Sequence, residues 1–296
     1  MSIKATPLGH SRILSVGTYR PKRAVPNSEI VDRIESTDEW IQQRTGIESR
    51  RFAGDDETVI SMAKAACEMA LKRAKLSIED IDTVILSTIS YPFQAPSAAT
   101  ELINELGNPK AAAFDISAAC AGFCYGVAMA SDLVRSGTSR NVLVIGVEKL
   151  SDYTDPDDRA TAFIFADGAG AVIIGQSDQP RIGQTIWGSD ADSRDAITLT
   201  PSFLDYKKNP NKGVSELGWP NITQQGQIVF RWAVYQMSKA GLKALEVAGV
   251  SVDELGAFIP HQANIRIIET MAKEMKIPDS VLIADDIRTN GNTSAA

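Results

Sequence analysis

"ALKRAKLSIEDIDTVI", Ala70 to Ile85, and "ALEVAGVSVDELGAFI", Ala244 to Ile259, align without a gap, the second starting 174 residues after the first. Ser77 meets Ser251, Ile78 meets Val252, Glu79 and Asp80 meet Asp253 and Glu254, and Ile85 meets Ile259. Each copy reads as a helix end, a capped acidic turn and a buried strand. Such units share composition, so one match can arise by coincidence; duplication is the stronger reading. It predicts two similar α/β halves, residues 1–180 and 181–296, related by a pseudo-twofold axis with a functional site between them.

Short apolar runs elsewhere read as buried strands: Ile13 to Val16, Val84 to Thr88, Val142 to Val147, Ala171 to Ile174, Ala257 to Pro260 and Val281 to Ala284. Val59 to Ala74 carries a single stripe through Ile60, Ala63, Cys67, Ala70, Leu71 and Ala74, which is helical spacing. Strands alternating with helices imply an α/β architecture. The 174-residue offset also sets Ala296 opposite Gly122, whereas the first copy runs on to about Gly175. The expectation is a truncated second half; a second half that is simply shorter is the alternative.

The 296 residues are 44% hydrophobic and 23% charged with no low-complexity tract, enough for a sizeable folded core. A net charge of −7 argues against general nucleic-acid affinity, so an anionic partner must meet a local basic patch. "MSIKATPLGHSR" lacks a signal-peptide core, and no run approaches the ~18 apolar residues of a membrane span. Three cysteines without CxxC spacing fit a reduced, cytoplasmic protein with no disulfide framework.

In "FDISAACAGFCYGV", Phe114 to Val127, an apolar run leads into a second apolar stretch, with Ser117 available as an N-cap. That places Cys120 in the first turn of a helix running to about Ser136, where unpaired N–H groups favour a thiolate. The helix is apolar nearly all round from Ala118 to Ala130, so it should be buried. Cys120 is then a candidate nucleophile, though cysteine is also simply a small, often-buried residue. Cys124, a turn deeper, and Cys67, on the α-helical stripe, read as packing residues. Of the two histidines, His10 precedes the first strand and reads as exposed. His261 follows the strand "AFIP" and leads into a helix with Asn264 near its start, where α/β folds place site residues. A hydrogen-bonded structural histidine is the alternative. Asn292 in "TNGNTSAA" follows another apolar strand, although Asn-Gly is also a common turn signal. The three together lie at corresponding strand ends of a duplicated fold.

"DISAACAGFCYG", "HQANIR" and "GNTSAA", in that order and spacing, resemble β-ketoacyl-acyl-carrier-protein synthase III of the thiolase superfamily. "STDEWIQQRTGIESRR" and "FADGAGAVIIG" extend the resemblance over nearly the whole chain. It implies a duplicated five-layer αβαβα sandwich, with further core strands beyond "GNTSAA". It implies that Cys120 takes an acyl group from coenzyme A, while His261 and Asn292 hold the malonyl thioester carbonyl during decarboxylation. A neutral His261 donor would suffice, because two donors aimed at the enolate-like oxygen stabilise charge where it develops. The oxyanion hole would use the Cys120 N–H and a glycine N–H beyond Ala296.

The same resemblance points to Trp40, Arg44, Thr45 and Arg159 around coenzyme A, and to Arg231, Arg266 and Lys273 for an acidic acyl carrier protein. Glu274 departs from the basic residue some relatives carry beside that lysine. It sets the "SYPFQAPSAAT" loop at a homodimer interface, where Ala95, and Phe93 nearby, would close the partner's acyl tunnel. No metal or cofactor is implied beyond coenzyme A thioesters as substrates. The expected activity is the initiating condensation of type II fatty acid synthesis. A priming ketosynthase of a polyketide pathway, an acyl-thioester cysteine hydrolase and an inactive scaffold are the alternatives.

Overall fold

A computed structural model describes residues 8–296. The opening MSIKATP, read above as lacking a signal core, lies outside the described residues. The first half comprises β1 (His10–Tyr19), β2 (Arg23–Pro26), α1 (Asp38–Thr45), β3 (Ser49–Phe52), α2 (Val59–Ala74), β4 (Thr83–Ser87), α3 (Ala98–Leu106), β5 (Ala112–Ile116), α4 (Gly122–Arg135), β6 (Asn141–Lys149) and β7 (Asp167–Ser177). Five of its strands form one mixed sheet in the order β1-β7-β6-β4-β5. β4 runs parallel to β5 and β6, and β7 antiparallel to β6 and β1.

Alternate side chains in the central strands serve two cores. Val84, Leu86, Leu143, Ile145, Ala171 and Ile173 pack with α2 and α3, whereas Ile85, Val142, Val144, Val172 and Ile174 pack with α4. Burial on both faces is why these strands read as unbroken apolar runs. Helix α2 has the bounds its stripe predicts. Thr58 and Ser61 form a capping box at its start, and Lys75 ends it in the left-handed region (φ 57°). Cys67 is fully buried on its inner face, as expected. The first strand differs from expectation. β1 starts at His10 and, among the described residues, lies at the sheet edge with only β7 beside it; Ile13 and Val16 are exposed rather than buried.

The second half opens with β8 (Ile197–Thr200), α5 (Phe203–Lys208), α6 (Val214–Leu217) and β9 (Asn221–Gln224), a hairpin carrying two short helices. Next, α7 (Gly226–Trp232) runs through a π-helical turn into α8 (Ser238–Ala248). Then come β10 (Ala257–Phe258), α9 (Ile265–Glu274), β11 (Leu282–Ile283) and α10 (Ile287–Asn290), with β10 and β11 a parallel pair.

The repeat in sequence is a repeat in geometry. α2 ends at Lys75 and α8 at Gly249, both left-handed (φ 57° and 66°). The Ser77 N–H then donates to Asp80 Oδ2 and the Ser251 N–H to Glu254 Oε2, each at 2.9 Å, around a single 3-10 turn. Each turn feeds a parallel strand. The strands themselves differ: β4 is wholly buried, while β10 stops at Phe258 and leaves Ile259 75% exposed. β11 is likewise two residues long with Leu282 exposed, because among the described residues these two strands pair only with each other.

Candidate active site

Cys120 follows β5, whose Asp115 carboxylate accepts the first N–H groups of α3, from Ala98 (2.7 Å) and Ala99 (2.8 Å). Ala119 then takes a left-handed backbone (φ 43°), and residues Ala119–Ala121 make a 3-10 turn before α4 begins at Gly122. The expected N-cap is therefore corrected: Ser117 does not cap, and the α-helix starts after Cys120 because the reversal at Ala119 comes first. The thiol still sits at the mouth of α4. Only glycine allows that mouth to close on β4, since a Cβ at Gly122 would fall 1.7 Å from Ser87 Oγ. The helix is not buried all round. Gly126, Ala130 and Val134 face the sheet, but Cys124 is exposed, so the packing role expected for it is also corrected.

The "HQAN" stretch divides three tasks among neighbours. Gln262 clamps the ends of both short strands, donating to Pro260 O (2.9 Å) and Ala284 O (3.2 Å) while accepting from Ile287 N. Asn264 caps α9 by accepting from Arg266 N (2.9 Å) and donates to Arg44 O (3.0 Å). That leaves His261 for the site, its Nε2 buried without a hydrogen-bond partner. Asn292 arrives from the far end of the chain as a one-residue parallel bridge to Phe165. Its N–H donates to Ile164 O and its carbonyl accepts from Ala166 N, both at 2.9 Å. Its Oδ1 accepts from Ser294 N (2.9 Å), which leaves the Nδ2 hydrogens for a ligand.

Burial alone would push the Cys120 thiol up; the positive charge on His261 is the largest of the effects that outweigh it and hold the thiol below its ordinary range. Burial would lower His261 in turn, yet the negative charge of Cys120 outweighs it and raises the imidazole. Each group thus shifts toward its charged form in the presence of the other. With Nε2 lacking an aligned acceptor, charge rather than a directed N–H···S bond is the main coupling.

Two further groups near the thiol went unnoticed in the sequence. Ser294 lies in a motif read only for its asparagine. Glu148 is a lone acid in the apolar strand "VLVIGVEK", a signal that could have marked it. It is fully buried and accepts from Ile89 N (3.1 Å), Thr88 Oγ1 (3.1 Å) and Ser90 Oγ (2.6 Å). Burial pushes it up to about 7, with a smaller contribution from the negative charge of Cys120.

Cys120, His261 and Asn292 line one cavity of about 980 Å³, together with Trp40, Arg44, Thr45 and Arg159. The Arg44 and Arg159 guanidiniums lie 5.0 and 5.3 Å from the Trp40 ring centroid, and Phe163 meets the same ring edge-on. Thr45 is buried and its hydroxyl is engaged with Ile41 O and Ile47 N, so it shapes the wall rather than offering a donor. Arg231 and Arg266 also line the cavity, the latter over Phe230. Lys273 is exposed on the last turn of α9, away from the cavity lining. Ala95 and Phe93 are exposed on their loop and do not line this cavity; their expected target belongs to a second subunit. His10 is exposed, as expected. Among the described residues no group of three His, Cys, Asp or Glu is placed to hold a metal, and no helix is long and apolar enough to cross a membrane.

A cysteine at a helix mouth, facing a histidine and an asparagine from the other copy of a duplicated α/β unit, defines a condensing enzyme of the thiolase fold. A family model described as 3-oxoacyl-[acyl-carrier-protein (ACP)] synthase III matches residues 114–191, and its C-terminal counterpart matches residues 245–296. Over 292 residues the chain is 52% identical to β-ketoacyl-[acyl-carrier-protein] synthase III 1 of Streptomyces coelicolor, covering 97% of this chain and 85% of the relative. It is 46% identical to the mycobacterial β-ketoacyl-[acyl-carrier-protein] synthase III of Mycobacterium avium, covering 96% and 83%. Among solved structures, the priming β-ketosynthase of the R1128 polyketide pathway superposes with a TM-score of 0.96 at 42% identity, covering 100% of this chain and 87% of that one. The synthase III of Pseudomonas aeruginosa gives 0.85 at 32% identity, covering 97% and 86%. The chain belongs to the β-ketoacyl-acyl-carrier-protein synthase III family, the acyltransferase-type condensing enzymes of fatty acid synthesis. Both halves of the family pattern are matched, which corrects the expectation of a truncated second half: the C-terminal domain is present.

Proposed function

We propose that Cys120 accepts an acyl group from acyl-CoA and that the acyl-enzyme condenses with a malonyl-acyl carrier protein to give a 3-ketoacyl-acyl carrier protein. The observation that carries this reading is the placement of Cys120, His261 and Asn292 in one cavity, where the thiol is held below and the imidazole above their ordinary ranges. The thiolate attacks the thioester carbonyl, the C–S bond to coenzyme A breaks, and the departing thiolate is protonated at the expense of the imidazolium's Nδ1 proton, so the Nε2–H stays in place. With the sulfur esterified, burial favours the neutral imidazole. Its Nε2–H and the Asn292 Nδ2–H then donate to the malonyl thioester oxygen while CO2 departs and an enolate forms. The enolate carbon attacks the acyl carbonyl, the new C–C bond forms, and the C–S bond to Cys120 breaks.

In this reading Trp40, Arg44 and Arg159 hold the coenzyme A nucleotide by stacking and charge, with Thr45 behind them. Arg231, Arg266 and Lys273 receive the acidic acyl carrier protein. The enzyme works as a homodimer in the cytoplasm, with Ala95 and Phe93 ending the partner's tunnel, and its chemistry needs only thioester substrates. The halves 1–180 and 181–296 supply nucleophile and carbonyl donors respectively. A second reading, priming of a polyketide pathway, draws support from the likeness to the R1128 ketosynthase; the preferred carrier protein distinguishes the two. The test of the chemistry is intact mass after incubation with a panel of acyl-CoAs. Wild type and Cys124→Ala should gain one acyl group and Cys120→Ala none; an adduct mapped to Cys124 or Cys67 overturns the assignment.

A further inference from the structure

Ser294 lines the cavity beside Cys120, yet the steps above give it no task. Two features mark it. Its side chain is buried, 5% exposed, and its hydroxyl has no hydrogen-bond partner. Its backbone is left-handed, at φ 54°, where a Cβ is strained and glycine is the ordinary occupant. A serine at such a position carries two costs, one for conformation and one for an unsatisfied buried hydroxyl. The surroundings enforce both. Ser294 N–H is held by Asn292 Oδ1, Ala296 N–H by Thr293 O, and the Ala295 carbonyl is pressed so closely on β6 that a Cβ at Gly146 would fall 1.8 Å from it. Ala119, the other strained residue at the site (φ 43°), immediately precedes Cys120. Backbone strain on both sides therefore converges on one sulfur.

We propose that Ser294 is a further catalytic residue, whose hydroxyl donates a hydrogen bond to the Cys120 sulfur whenever that sulfur carries negative charge. This rests on the reading of Cys120 as the acyl-carrying nucleophile. The groups facing the sulfur divide the work. His261, from the turn after β10, supplies positive charge in the resting enzyme; Glu148, from the end of β6, opposes negative charge; the Cys120 N–H and Ser294 supply neutral donors. The step that most needs Ser294 is the last. His261 has by then given its proton to coenzyme A, so no cation is left to receive charge when the C–S bond breaks and its electron pair returns to Sγ. A neutral hydroxyl can accept that charge by hydrogen bonding alone, with no proton transferred to or from serine. It matters less in the acyl-enzyme, whose sulfur is uncharged, so its stabilisation is selective for the states flanking bond cleavage.

The experiment uses iodoacetamide, which reads the thiolate without any substrate, in a Cys124→Ala background so that Cys120 is the reactive thiol. Alkylation rate is measured against pH for the parent, Ser294→Ala and Ser294→Gly. Alanine removes the hydroxyl and keeps the strain; glycine removes both and is the better-folding control. In both variants the alkylation midpoint should move to higher pH, with rates on the acid side lower by about tenfold, one unit of thiolate pKa being a factor of ten. Product release from preformed acyl-enzyme should slow by a similar factor. An unmoved midpoint in both variants overturns the proposal. So does a glycine variant that behaves as the parent while alanine is slow, since backbone strain would then be the cause. If the parent shows the shift on mutation but takes no acyl group from acyl-CoA, Ser294 remains the sulfur's donor and the proposed function is what fails.

Discussion

Replacing Glu148 by glutamine tests the buried carboxyl at the end of β6. Its pKa rises from the ordinary 4.5 to about 7, driven first by burial. The folded chain therefore holds a proton there that the unfolded chain releases from about pH 4.5 upward. Stability from this group is fully present below pH 4.5 and is lost as pH climbs through 7. At 1.36 kcal/mol per unit, the loss across that window is about 3 kcal/mol. That is a large share of the ~5–15 kcal/mol by which domains are stable. Asp167, pushed up to about 6 by burial, contributes a drop in the same direction. The comparison must therefore be wild type against Glu148→Gln and not one pH against another. Glutamine cannot ionise, and its amide can still accept from Ile89 N. Urea unfolding at pH 5 and pH 8 should show the variant losing about 3 kcal/mol less than wild type over the interval. Equal losses would mean that Glu148 is charged in the native state at neutral pH, its burial offset by the hydroxyls of Thr88 and Ser90.

Asn292→Ala should slow malonyl decarboxylation by about a hundredfold or more while sparing acylation of Cys120, as expected for a lost transition-state donor. His261→Ala should slow both decarboxylation and acylation, because removing the imidazole lets the Cys120 thiol rise; its acylation should recover at higher pH, and a variant with unaltered acylation at pH 7 would contradict the coupling of the two groups. Trp40→Ala should raise the acyl-CoA KM by roughly tenfold with little change in kcat, each ring–cation contact being worth about 0.5–2 kcal/mol; an unchanged KM would remove the nucleotide from that ring. Ala95→Phe should shift primer choice in competition assays from branched acyl-CoAs toward acetyl-CoA, each excluded methylene costing about 0.8 kcal/mol. Unchanged use of branched primers would show that Ala95 does not set tunnel depth.

The repeat was legible because its determinants are local. Ser77 with Asp80 and Ser251 with Glu254 form their turns within four residues, and the α2 stripe follows from helical period alone. Central strands were legible for a related reason: burial on both faces leaves an unbroken apolar run. β1 misled because an apolar run does not say whether a strand is central or at an edge. The same limit applies to Cys124, whose apolar neighbours suggested packing on every side. At the site, the motifs located Cys120, His261 and Asn292 but not what tunes them. Glu148 and Ser294 act through contacts 28 and 174 positions along the chain, which no local pattern encodes. The left-handed Ala119, which displaces the start of α4 past Cys120, is also silent, since alanine is a poor advertisement for that conformation.

The main-chain bridge between Asn292 and Phe165 bears on how the two copies can be separated. The residue proposed to govern decarboxylation is seated by carbonyl and amide groups of the other copy, and its flanking turn rests on Gly146 of β6. A protease that cuts the exposed stretch after Ser177 would sever the polypeptide without unseating Asn292, so nicked material should keep its catalytic geometry. Conversely, the copies could not be exchanged as modules with those of a distant relative, however well each folded. Compatibility would have to be inherited at Phe165, Gly146 and the 291–296 turn together, which makes this seam, rather than either active-site motif alone, the place where the duplicated halves became obliged to evolve as one.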